Sequence, residues 1–192
     1  MWNNYGMKNI PWGEKMKNQI CAIWTLDKEA NDKLEYTRKA LTDFSIDYEP
    51  IYGHITMAHF YDIDIDDIVE YTREFVQDKS TFHVRYSIIG LLSPNCIACI
   101  PTTSGKLLEY YYEYHEQFDA HCDDWTKIEK GLWLPHSTLY FNPDIDLGPI
   151  IMGMARRFEP FEGKIVRLEL SEIDDDGIEV IYTHKLAESS NF

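Results

Sequence analysis

The chain has no run of 18 apolar residues, so no segment reads as a membrane span. The stretch Met1 to Lys17 is polar and lacks the apolar core and small-residue cleavage site of a signal peptide, which makes the cytosol the default compartment. Cysteine is scarce, with Cys21, Cys96, Cys99 and Cys122 only. A chain of 192 residues that is 44% hydrophobic and 14% aromatic can bury a core without disulfide staples. Basic residues are also few, 18 against 33 acidic, for a formal charge of −15. Such a chain repels a long phosphate backbone, which excludes tracking along duplex nucleic acid and favours a small ligand. There is no phosphate-binding Gly-rich loop with its Lys, no dinucleotide fingerprint after the first strand and no His-Glu-x-x-His zinc pattern. Neither nucleotide triphosphate hydrolysis nor hydride transfer has support, and no metal or cofactor is expected.

What is present is a repeated order of elements. Gln19 to Thr25 is a short apolar run that reads as a buried strand, and Lys28 to Phe44 carries helical spacing. Tyr52 to Phe60 is β-rich, Asp66 to Gln77 is an amphipathic helix opened by acids, and Phe82 to Leu91 alternates as a strand. After the turn Ser93-Pro94-Asn95 the order restarts: strand Cys96 to Ile100, helix Ser104 to Ala120, strand Leu132 to Phe141, helix Leu147 to Phe158 and strand Lys164 to Leu170. Asp175-Asp176-Gly177 signals a hairpin into a last strand, Ile178 to His184, and Ala187 to Phe192 reads as a loose tail.

The repetition has a register. His54 and His136 are 82 residues apart (136 − 54), and that shift also lays Thr56 on Thr138 and Met57 on Leu139. It lays Asp62-Ile63-Asp64-Ile65 on Asp144-Ile145-Asp146-Leu147, Val84 on Val166 and Arg85 on Arg167. The match runs without a gap over about 35 residues, whereas the first strand and helix recur at a shorter offset. Chance supplies about 0.4 His-x-Thr matches in a chain of this composition, so one match means little. Two in register, each on a predicted strand, mark a duplicated site.

On a strand, residues i and i+2 share a face, so His54 looks the same way as Thr56 and His136 the same way as Thr138. Two imidazoles facing one phosphodiester suit acid–base catalysis: one takes a proton from the attacking oxygen, the other protonates the departing one. The threonine hydroxyls donate to the non-bridging oxygens. By the same parity Tyr52 joins His54 and Tyr140 joins His136, as candidates to stack on a base. Arg85 and Arg167 occupy matching positions and are candidates to bind phosphate. Cys96 and Cys99, three apart on a strand, face opposite sides and read as core residues. His54 and His59, five apart, are likewise expected on opposite faces.

Gly53-His54-Ile55-Thr56-Met57 and Pro135-His136-Ser137-Thr138-Leu139 resemble the paired motifs of the two-histidine (2H) phosphoesterase superfamily, which includes the 2′-5′ RNA ligase-like proteins and cyclic nucleotide phosphodiesterases. The resemblance spans roughly residues 18 to 186, with Gly53 where many motifs of the family carry proline. It implies an α+β, bilobal fold with two strand-helix-strand-helix-strand lobes, about 18–92 and about 95–186, around a central cleft. It further implies a metal-independent phosphodiesterase that opens 2′,3′-cyclic phosphates or cuts 2′-5′ linkages of a small nucleotide or RNA end. The chain is expected to act as a monomer. The alternative from another class is a binding module that holds a nucleotide or RNA end without turning it over.

Overall fold

The structure, a computed structural model, describes residues 19–174 and 177–189. The expected element order stands: β1 (Gln19–Leu26), α1 (Lys28–Arg38), β2 (His54–Tyr61), α2 (Ile65–Phe75), β3 (Phe82–Ser93), then β4 (Cys96–Thr102), α3 (Gly105–Phe118), β5 (Ser137–Phe141), α4 (Gly148–Ala155) and β6 (Phe161–Ile173), with β7 (Ile178–Lys185) appended. Short polar side chains start the helices. Asp27 accepts from the Ala30 amide, Asp64 from the amides of Asp66 and Asp67, and Ser104 from that of Leu107. The repeated Asp-Ile-Asp is thus a helix-start device, since Asp146 likewise accepts from the Gly148 amide at the head of α4. Helix α4 ends at Ala155, short of the expected Phe158. Its Gly153 has a packing reason, because a Cβ there would lie 2.5 Å from the Phe44 ring.

All seven strands form one antiparallel sheet in the order β2-β1-β6-β3-β4-β5, with β7 on β6. The third strand of each repeat pairs with the other half: β3 runs beside β4, and β6 runs beside β1. The two exchanged strands also pair with each other. Phe82 faces Ile165 and His83 faces Lys164, pairs that the 82-residue shift converts into one another. A pseudo-twofold axis therefore passes through β3 and β6. One core joins the halves: Trp24 on β1 packs against Phe75 of α2, Phe82 of β3 and Tyr110 of α3, and Tyr86 stacks on Phe161.

Several expectations shift at the edges. Strand β5 begins at Ser137, so His136 lies one residue before it rather than inside a strand from Leu132. The tail is pinned as far as it is described: Ala187 accepts from the Thr81 amide at 2.8 Å, and Ser189 donates to the Thr81 hydroxyl. Asp175 and Asp176 of the hairpin signal, Met1 to Lys17 and the last three residues lie outside the described residues. Among the described residues, no helix is long and apolar enough to cross a membrane.

Candidate active site

The end strands of the sheet order, β2 and β5, meet each other. Ser137 donates its hydroxyl to the main-chain carbonyl of His54 at 2.7 Å and accepts from Tyr86 Oη at 2.6 Å. Trp133 donates its indole N–H to the Thr56 carbonyl at 2.9 Å while stacked flat on Tyr111. These bonds link the two motifs directly, the centre of one to the backbone of the other.

The two imidazoles are held alike. His54 Nδ1 lies 3.0 Å from the Tyr52 carbonyl, and His136 Nδ1 lies 2.7 Å from the Leu134 carbonyl. A carbonyl only accepts, so Nδ1 carries the proton in both rings and Nε2 is left for proton transfer. Burial holds both imidazoles below the usual histidine range, and for His54 the neighbouring charges of His136 and Arg38 lower it further.

Pairing defines what shares this face. In β1 and β2 the facing pairs are Thr25 with His54, Ile23 with Thr56 and Cys21 with His59. The count slips by one because Met57 is skipped: the ladder passes from Ile23–Thr56 to Ala22–Ala58. This β-bulge returns His59 and Tyr61 to the face of His54 and Thr56, contrary to the five-residue parity. His59 Nδ1 is bonded to Asp123 at 3.2 Å. Cys21 lies between, its thiol bonded to Thr56 and pushed up to about 12 by burial.

The second motif carries the same bulge. Leu139, 82 residues after Met57, is skipped as the ladder passes from Ala98–Thr138 to Ile97–Tyr140. Tyr140 is therefore turned away from Thr138 into the core, 8% exposed, which removes it as a stacking candidate; Phe141 takes the face instead. Cys96 and Cys99 face opposite sides as expected, opposite Phe141 and Ser137.

The arginines part company. Arg167 faces Thr25, which faces His54, so it stands in the same cross-strand row as the first histidine. It pairs with Glu169 at 2.7 Å, and Tyr52, half exposed, donates to the other oxygen of Glu169 with its ring 5.8 Å from that of His54. Arg85 faces Thr102, three positions past Cys99–Ser137, the last pair joining β4 to β5. It is exposed beside Glu162 and is not brought to His136. Parity along one chain overlooked Glu169, Tyr86 and Ser137; the signal for Glu169 was its place two residues after Arg167.

Gly53 has a steric cause. A Cβ there would lie 2.7 Å from Leu26 and would also meet Leu34, and its amide donates to Asn31. Among the described residues, one trio has metal-ligand character: His115, Asp119 and Cys122. Its members already bond one another, with His115 Nδ1 2.8 Å from Asp119 and 3.5 Å from Cys122.

No protein-family model matches this sequence, and no curated protein matches it. Solved structures do match its shape. Escherichia coli LigT complexed with 3′-AMP aligns over 91% of this chain and 100% of its own at 10% identity, with a TM-score of 0.59. TT0787 of Thermus thermophilus aligns over 90% of this chain and 100% of its own at 16% identity and a TM-score of 0.61. A structure described as a phosphoesterase aligns over 91% and 100% at 11% identity and 0.55. The chain has the fold of these proteins.

Proposed function

We propose that this chain is a two-histidine phosphoesterase that opens 2′,3′-cyclic phosphates, or cuts 2′-5′ linkages, in a small nucleotide or at an RNA end. The observation that carries this reading is the matched tautomer of His54 and His136, each fixed through Nδ1 by the carbonyl two residues before it. Two imidazoles presented through Nε2 supply both proton transfers that a phosphodiester needs. The fold shared with LigT, structures of which hold 3′-AMP and ATP, supports a nucleotide ligand. The charge of −15 supports a small one.

In this reaction, Nε2 of one histidine takes a proton from water as the water oxygen attacks phosphorus. The bond from phosphorus to the ribose oxygen breaks, and the imidazolium of the other histidine protonates that oxygen. A proton then passes through solvent from the first ring to the second, which restores the starting state. His54 and His136, held alike through Nδ1, share the roles of base and acid in this scheme. Thr56 and Thr138 donate to the non-bridging oxygens, where charge gathers. Tyr52 offers a ring to the base beside His54, and Arg167 attracts the phosphate from the same row.

His54→Ala and His136→Ala are each expected to cut turnover of 2′,3′-cyclic AMP by about 10²-fold or more while the chain stays folded. EDTA should leave the rate unchanged. Full activity in either variant refutes the assignment. A panel of 2′,3′-cyclic mononucleotides, 2′-5′ oligoadenylate, ADP-ribose cyclic phosphate and cyclic di- and trinucleotides, resolved by chromatography, identifies the substrate. Tight binding without product across the panel would instead mark a binding module.

A further inference from the structure

Two polar side chains deep in the molecule transfer no proton in the chemistry above. Arg38 on α1 and His115 on α3 are each 1% exposed. They are counterparts. The caps Asp27 and Ser104 are 77 residues apart (104 − 27), and at that shift the buried residues Ala30, Leu34, Thr37 and Arg38 fall on Leu107, Tyr111, Tyr114 and His115. Each reaches a main-chain carbonyl far along the chain. Arg38 Nε donates to the Leu139 carbonyl at 2.8 Å, and His115 Nε2 donates to the Met57 carbonyl at 3.0 Å.

Those carbonyls belong to the two bulge residues, each next after a motif threonine. A bulge lifts its residue out of the ladder, so its buried carbonyl needs a donor from elsewhere. Here the donor comes from the opposite half: α1 of the first repeat holds the second motif, and α3 of the second repeat holds the first. Both donors are themselves oriented. Arg38 Nη1 bonds Glu35 at 2.6 Å, and Glu35 in turn accepts from Tyr48. His115 Nδ1 bonds Asp119, which also accepts from the Ile128 amide. A greasy side chain would fill either position at less desolvation cost.

We propose that Arg38 and His115 are positioning residues, each setting from the opposite half the bulge that aims a His-x-Thr pair. The physical reason is register. A strand that healed its bulge by slipping one residue would carry its histidine and threonine to the core face. The donor in the helix makes the bulged form the one with no orphaned carbonyl. The proposal rests on the two-histidine reading for its consequence in catalysis, while its structural part stands without it.

The test compares His115→Leu and His115→Gln with Arg38→Met and Arg38→Lys in the full chain. The glutamine amide falls near the ring Nε2, and lysine returns a cationic donor. Imidazole ¹H–¹⁵N spectra report the aim of each histidine without any substrate. His115→Leu should move the His54 signals and leave those of His136 in place, and Arg38→Met should move those of His136. On 2′,3′-cyclic AMP each apolar variant should lose at least about tenfold in kcat with KM within about twofold, and Gln or Lys should recover most of it. If the leucine variant does not fold, His115→Gln against His115→Asn decides, since the asparagine amide is too short to reach Met57. Unmoved imidazole signals in a folded apolar variant overturn the proposal, as does a lost kcat that the conservative variants fail to recover. If the unaltered chain turns over nothing, the functional reading falls, and the spectra still decide this one.

Discussion

Replacing Ser137 by alanine is a sharp test of how the two motifs are joined. Ser137 and Tyr86 are both fully buried. Because the serine proton goes to the His54 carbonyl, Tyr86 must donate to the serine oxygen. Ser137→Ala strips the tyrosine hydroxyl of its acceptor and the carbonyl of its donor. A buried orphan hydroxyl costs about 1–3 kcal/mol, and the half-buried carbonyl about 0.5–1, so the loss is about 1.5–4 kcal/mol. Tyr86→Phe removes only the outer link, at about 1 kcal/mol, because Ser137 keeps its bond to His54. The double variant has no orphan hydroxyl. It should therefore cost less than Ser137→Ala alone, a coupling of at least about 1 kcal/mol. Urea unfolding followed by tryptophan fluorescence measures all three, and Tm should fall by about 5–10 °C for Ser137→Ala. A Ser137→Ala variant within about 0.5 kcal/mol of the parent, or a double variant whose cost is the plain sum, refutes the chain of bonds.

Two further outcomes follow from the site. Burial lowers the folded-state affinity of His54 and His136 for protons, so the unfolded chain binds more of them just below its own histidine range. The stability these groups permit is present above pH of about 6.5 and is lost as pH falls through their depressed folded values; His→Asn at either site should flatten that slope in pH-dependent unfolding. At Gly53, alanine should cost about 1–3 kcal/mol by overpacking against Leu26 and Leu34. Proline should cost more, since it also removes the amide bonded to Asn31, and thermal unfolding of either variant at the parental Tm would contradict the steric reading.

The sequence by itself determined the order of elements, the duplication and the identity of the His-x-Thr pairs, because these depend on local periodicity and on a register readable along one chain. Helix starts at Asp27, Asp64 and Ser104 are equally local, each side chain serving an amide two or three residues ahead. Only the tertiary structure decided the exchange of β3 and β6 between halves, which brings Arg167 into the row of His54 and leaves Arg85 away from His136. It alone decided the faces beyond each motif. Alternation holds only while every residue occupies a ladder position, and Met57 and Leu139 do not. A bulge survives where its freed carbonyl finds a donor, and those donors, His115 and Arg38, stand 58 and 101 residues away. Nothing in the neighbourhood of a motif announces a partner at that distance, so His59 and Tyr140 were misplaced by a rule that was right as far as Thr56 and Thr138.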